Sequence, residues 1–316
     1  MASTHERSAL IIGEALIDIV NTGGAADAST APSQREYPGG SPMNVAIGLG
    51  RLGRNTHLAT WIGDDSRGDM IVAHLRDAGV SVDAQSTEAA YTSTATAHID
   101  AEGSASYEFD LEWNPQEIAL ERSDLVVHTG SIAAVVEPGA ERVLERLERA
   151  HDQCTITFDP NARPSIMKDP VQTLEMVERY IRLADVVKAS DHDIDWLYQG
   201  KRSYRDVALD WLENFDSKLV VITRGGDGVD AFSAGGVEYH DDAPSVEVVD
   251  TVGAGDSFMA GIIDGLWTKR LLGAKKRHLL RDISGGDVAG VISHASQIAG
   301  ITVSRPGANP PWLSEL

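Results

Sequence analysis

The chain has 316 residues, of which 42% are hydrophobic, enough to bury one large α/β core. Lys and Arg total 27 against 48 Asp and Glu, a formal net charge of −21, which argues against nucleic-acid or anionic-membrane partners. An anionic substrate must then be held by local devices: helix N-termini, a metal ion or a few cationic side chains.

Ala9–Ile12 reads as a buried first strand closed by Gly13. Glu14 and Asp18 interrupt the apolar run, so it is read as neither a signal peptide nor a membrane span, and no other stretch reaches spanning length. Residues 21–38, rich in Gly, Ala, Ser, Thr and Pro, predict a loop or a small excursion from the core. Helical spacing follows over Met43–Arg51, a strand over Leu58–Ile62 and a helix over Asp69–Ala78. Thr92 to Phe109 reads as two half-polar strands around a turn at Glu102-Gly103, a hairpin suited to a flap.

Strands and helices then alternate. Leu125–His128, Cys154–Phe158, Val186–Lys188 and Leu219–Ile222 are the strands; Glu141–Ala150, Val171–Ala184 and Tyr204–Phe215 are the helices. This order implies an α/β fold with a doubly wound, mainly parallel sheet in three layers, in one domain over residues 1–316. Ligands in such sheets bind beyond the carboxyl ends of strands, where Asp159-Pro160-Asn161-Ala162-Arg163, Ser190-Asp191-His192-Asp193 and Thr223–Gly228 fall.

Cys154 is the single cysteine, which excludes an intrachain disulfide and fits a reducing, cytoplasmic setting; it reads as a buried structural thiol. Gly48-Leu49-Gly50-Arg51-Leu52-Gly53 matches the dinucleotide pattern G-x-G-x-x-G, but a helix precedes it and a strand follows, the reverse of what pyrophosphate binding needs. These glycines read as a helix C-terminal cap.

Two glycine-led turns carry the chemistry. In Asp250-Thr251-Val252-Gly253-Ala254-Gly255-Asp256, small residues open a helix marked by Phe258, Ile262 and Leu266. Unpaired N–H groups and the helix dipole there suit a phosphate-like anion, and the glycines let it approach. Asp256 repels such an anion, yet is well placed as base for a hydroxyl attacking it. Gly39-Gly40-Ser41-Pro42-Met43-Asn44 opens a second helix with an Asn able to donate to and accept from sugar hydroxyls; with Asp18 it suggests a polyol site. Each turn also suits an ordinary helix start, and neither alone decides.

Together, some two hundred residues apart and in this order, the two turns resemble the signatures of the ribokinase-like (pfkB) carbohydrate kinases. Gly13–Asp18 and Asp159–Arg163 look closer to the fructokinase and 2-keto-3-deoxygluconate kinase branches than to ribokinases proper. The resemblance implies transfer of the γ-phosphoryl group of ATP, with Mg²⁺ and in many relatives K⁺, to a sugar hydroxyl. Fructose is the first expectation; 2-keto-3-deoxygluconate, ribose, a nucleoside and a non-catalytic sugar-sensing role stay open. Asp256 would be the base, and the N–H groups of Gly253, Ala254 and Gly255 the anion hole. Asp18, Gly39, Gly40, Asn44, Asn161 and Arg163 would hold the sugar. Lys188, Ser190, Thr223, Gly225 and Gly228 would serve the nucleotide, Asp193 would order Mg²⁺-bound water, and Asp250 would neighbour a monovalent cation. Residues 21–38 and 92–110 would form a lid that in relatives often pairs subunits. Ser190 and Asp193 stand where the family commonly has Asn and Glu, so the metal or phosphate contacts there could differ.

Overall fold

The computed structural model describes residues 7–22, 33–99 and 105–316. The strands are β1 Ser8–Ile12, β2 Leu16–Thr22, β3 Ser33–Gly39, β4 Asn55–Ala59, β5 Val80–Val82, β6 Thr94–Ile99, β7 Ala105–Asp110, β8 Asp124–Gly130, β9 Thr155–Asp159, β10 Val186–Ser190, β11 Leu219–Thr223, β12 Val229–Ser233 and β13 Glu238–Asp241. The helices are α1 Ser41–Arg51, α2 Ser66–Asp77, α3 Gly139–Ala150, α4 Pro164–Met167, α5 Pro170–Ile181, α6 Asp191–Leu197, α7 Tyr204–Asn214, α8 Ala254–Thr268, α9 Arg277–Arg281 and α10 Gly285–Val303.

Nine strands form the main sheet in the order β13-β12-β11-β10-β9-β8-β1-β4-β5. Pairing is parallel from β11 to β5, and β12 and β13 add an antiparallel edge. The central strands are apolar on both faces because both faces are covered. Ala9 and Ile11 point into one core with α1, α8 and α10, while Leu10 and Ile12 point into the other with α3, α5 and α7. Leu219 and Val221 alternate with Val220 and Ile222 in the same way. These are the three layers expected from the sequence.

A second sheet, β3-β2-β6-β7, stands apart. β6 and β7 are the expected antiparallel pair, and their Glu102-Gly103 turn lies outside the described residues. The reading of 21–38 as loop is corrected in part: Ser33–Gly39 is a strand paired with β2, although its composition is turn-like. Pairing with β2, whose other edge holds β6, overrides the local preference. The Gly48–Gly53 run behaves as expected: α1 carries Gly48 and Gly50, and Gly53 at φ +80° closes the turn into β4. Helix α10 and strands β12 and β13 were not anticipated.

His57 on β4 is clamped between Asp83 (2.9 Å to Nδ1) and Asp124 (2.9 Å to Nε2). Burial disfavours its charge, but the two carboxylates outweigh it and push its pKa up to about 10. A raised folded pKa means the ion pair's contribution is fully present below the unfolded value near 6.5 and fades as pH rises through about 10. His57→Gln is therefore expected to lower stability by roughly 3–5 kcal/mol at pH 7. Thermal melts should show that gap from wild type narrowing between pH 7 and pH 10.5, and a constant gap would contradict it. Cys154 is buried, and burial pushes its thiol up to about 12, as a structural cysteine requires.

Candidate active site

Asp256 lies in the first turn of α8, 5% exposed. Its Oδ1 accepts from the Ser41 hydroxyl (2.7 Å) and its Oδ2 from the Asn44 amide (2.8 Å), both on α1. The Asn161 amide reaches Ser41 Oγ at 2.7 Å and Asp256 Oδ1 at 3.4 Å. The two glycine turns and the loop after β9 therefore meet at one carboxylate. Gly40 makes the α1 turn possible: its φ is +120°, and a Cβ would lie 2.4 Å from the Glu14 carbonyl oxygen. At Gly39 a Cβ would lie 2.1 Å from Asp18 Oδ2, so the Asp18 carboxyl packs against the bare backbone of β3.

Two cavities flank this turn. One, of about 370 Å³, is lined by Glu14, Asp18, Gly40, Asn44, Asn161, Arg163 and Asp256, with Phe109 from the small sheet. The other, of about 350 Å³, is more apolar; Thr223, Gly225 and Gly228 line it together with Pro244, Val246 and Val248. Thr251, Ala254 and Gly255 border both, so the N-terminus of α8 is the partition. The Ala254 N–H bonds to the Thr251 carbonyl (3.2 Å), whereas those of Gly253 and Gly255 bond no acceptor among the described residues. An anion on the partition thus meets two free donors and the helix dipole.

Burial raises Asp18 to about 6 against the pull of Arg163, and raises Glu14 to about 7. Two non-glycine residues at the carboxyl ends of β8 and β9 hold positive φ, Ser131 at +56° and Asn161 at +36°, and both line the polar cavity. Lys168, Gln199, Asp216 and Arg270 hold positive φ as well, away from both cavities.

Several predicted residues do not line either cavity. Lys188 is buried beneath the partition, paired with Asp159 at 2.8 Å. Ser190 caps α6 and accepts from the Asp193 N–H (3.0 Å), while Asp193 Oδ2 accepts from both the N–H and the hydroxyl of Ser190 (2.7 Å each). Asp193 Oδ1 accepts from the Ala162 N–H (2.8 Å), so this carboxylate joins the β10–α6 turn to the 159–163 loop. The side chain of His192 is 92% exposed and approaches only Asp191 among the described residues. Asp250 fastens the approach to α8, accepting from Val252 N–H (3.0 Å) and Gly307 N–H (2.8 Å).

Ser41 and Glu14 were passed over as site residues, though both sit inside the motifs that drew notice. The α10 residues Ser296, Ala299 and Gly300 in the apolar cavity had no chemical signal to offer.

The site is thus a polar cavity and a more apolar one on either side of a helix start, with a buried carboxylate on the polar side. The model of the pfkB family of carbohydrate kinases matches residues 6–315. The chain is 33% identical to a fructokinase of Rhizobium leguminosarum bv. trifolii over 86% of this chain and 85% of that one. It is 30% identical to the probable fructokinase-3 of Arabidopsis thaliana over 100% of this chain and 92% of that one. The fructokinase structure from Xylella fastidiosa superposes with a TM-score of 0.81 at 25% identity, covering 98% and 96% of the two chains; another structure of that protein carries bound ATP. The chain belongs to the pfkB family of carbohydrate kinases. No helix among the described residues is long and apolar enough to cross a membrane.

Proposed function

We propose that this protein is an ATP-dependent fructokinase, moving the γ-phosphoryl group of ATP to a hydroxyl of fructose. The observation that carries the reading is Asp256 in the polar cavity, on the helix start that separates it from the apolar one, its carboxylate aimed by Ser41 and Asn44. The names of the Rhizobium and Arabidopsis relatives support fructose, and the ATP-bound Xylella structure supports the nucleotide.

In this reading the sugar lies in the polar cavity against Asp18, Asn44, Asn161 and Arg163, and the nucleotide lies along Thr223, Gly225 and Gly228. Asp256 takes the hydroxyl proton, the sugar oxygen bonds to the γ-phosphorus, and the bond to the ADP oxygen breaks. The Gly253 and Gly255 N–H groups meet the charge on the transferring group, and preorganised donors of this kind supply much of such catalysis. Positioning is the remainder of the task.

Among the described residues no three His, Cys, Asp or Glu side chains form a cluster able to hold a metal. Asp193 and Asp159 are both engaged by protein donors. Both are buried and line neither cavity, so Mg²⁺ would arrive on the nucleotide phosphates with its own water, Asp193 and Asp159 would act on it only from behind the partition, and the ion would neutralise phosphate charge. The same reading keeps Asp250 beside a monovalent cation such as K⁺ and the small sheet as a lid over the sugar, its edge a surface for a second subunit.

The test is ADP release across fructose, ribose, 2-keto-3-deoxygluconate and a nucleoside. Fructose is expected to give the highest kcat/KM. A higher value for another sugar would replace the substrate, and turnover of none would overturn the enzyme.

A further inference from the structure

We propose that Glu14 is a specificity-determining residue of the polar cavity, its carboxyl bonding a substrate hydroxyl that Asp18 and Asn44 do not hold. The inference rests on the sugar-kinase reading of that cavity and adds a contact to it.

Glu14 follows the end of β1, is 6% exposed and lines the cavity. Its Oε2 accepts the Ala133 N–H at 3.2 Å, and its own backbone N–H and the Ser131 hydroxyl are two further partners. A carboxylate has about four acceptor positions, so capacity remains on a buried group at a cavity wall. A ligand hydroxyl can take up the position that remains. No described cation forms an ion pair with Glu14; Arg163 acts on it only at longer range, and acts on Asp18 as well. Two carboxyl groups facing one guanidinium across a polar cavity is an arrangement that reads a polyol, which offers several hydroxyls in fixed relation.

Glu14 is also held rigidly. Its carbonyl oxygen lies against Gly40, and its side chain grips the 3₁₀ turn Ser131–Ala134, of which Ser131 and Ile132 line the same cavity. One residue thus ties the ends of β1 and β8 to the start of α1.

Glu14→Gln keeps the shape and an acceptor for the Ala133 N–H. Its test uses whichever sugar the wild-type protein turns over fastest, together with that sugar's set of monodeoxy analogues. The sugar KM should rise roughly 10- to 100-fold, the loss of one hydrogen bond to a charged group, with kcat and the KM for ATP changed less than about threefold. One deoxy analogue should lose affinity with wild type by a similar factor and bind the variant as well as the parent sugar does. A sugar KM within about twofold of wild type would overturn the proposal. So would equal losses for every analogue and for ATP, which would make Glu14 a structural prop. An error about fructose appears in the wild-type sugar panel, and an error about Glu14 appears only in the comparison of variant with analogue.

Discussion

Asp256→Asn is expected to lower kcat by roughly 10²–10⁴-fold, the contribution of a positioned general base, while the sugar still binds. The carboxylate is fixed by the Ser41 hydroxyl and the Asn44 amide, and Asn161 braces Ser41. An amide at this position can accept from Asn44 and donate to the Ser41 hydroxyl, so the first turn of α8 keeps its shape. What is lost is the ability to take a proton. The loss should therefore fall on kcat, with KM for the sugar and Kd for the nucleotide nearly unchanged. Removing a carboxylate beside the phosphoryl site also removes a repulsion, so nucleotide affinity should not weaken. Steady-state kinetics with calorimetric titration of ATP and sugar checks both halves. A variant with near-wild-type kcat would mean that another group takes the proton.

How much of this was legible in the sequence follows from where each signal lives. The buried parallel strands were readable because their residues are apolar on both faces, and the run Leu219–Ile222 can be little else. Asp256, Asn44 and the glycines were readable because the turns that hold them are local: three small residues before a carboxylate describe themselves. β3 was hidden because its sequence, Ser-Gln-Arg-Glu-Tyr-Pro-Gly, carries no strand preference and is ordered by pairing with β2. The Asp193–Ala162 bond spans 31 residues and the Asn161–Ser41 bond 120, and no spacing rule reports such contacts. Pro244, Val246 and Val248 have no chemistry of their own, so only the fold reveals that they line the same cavity as Gly225 and Gly228. Lys188 is the instructive case. It was expected to serve the nucleotide; the structure buries it beneath the turn that separates the two cavities.

That burial gives the second large expectation: Lys188→Met should destabilise the protein by about 3–5 kcal/mol at pH 8, because it strands Asp159 as an uncompensated buried charge. Lys188 and Asp159 are 4% and 2% exposed in their side chains and 2.8 Å apart. Burial already lifts Asp159 to about 6 with Lys188 present to oppose it, so losing the ammonium lifts it further. A carboxyl whose folded pKa lies above its unfolded value contributes stability below the unfolded value near 3.8 and loses it as pH rises through the folded one. The deficit of the variant should therefore be small at pH 5 and large at pH 8, as denaturant titrations at the two pH values would register. Lys188→Met combined with Asp159→Asn removes both charges and should recover most of the loss. Activity should not recover with it. A Cβ on Gly255 would lie 2.9 Å from Lys188 Nζ, so the ammonium sits directly under the N–H donors of the partition. Asp159, Asp193 and Asp256 all act to keep it charged there, against burial. Without it, the carboxylates of Asp193 and Asp256 stand uncompensated near the position where a phosphoryl group must arrive, even in the double variant. A folded double variant with wild-type kcat would show that Lys188 serves stability alone; a folded one with kcat lowered tenfold or more would show that its charge also serves the transfer.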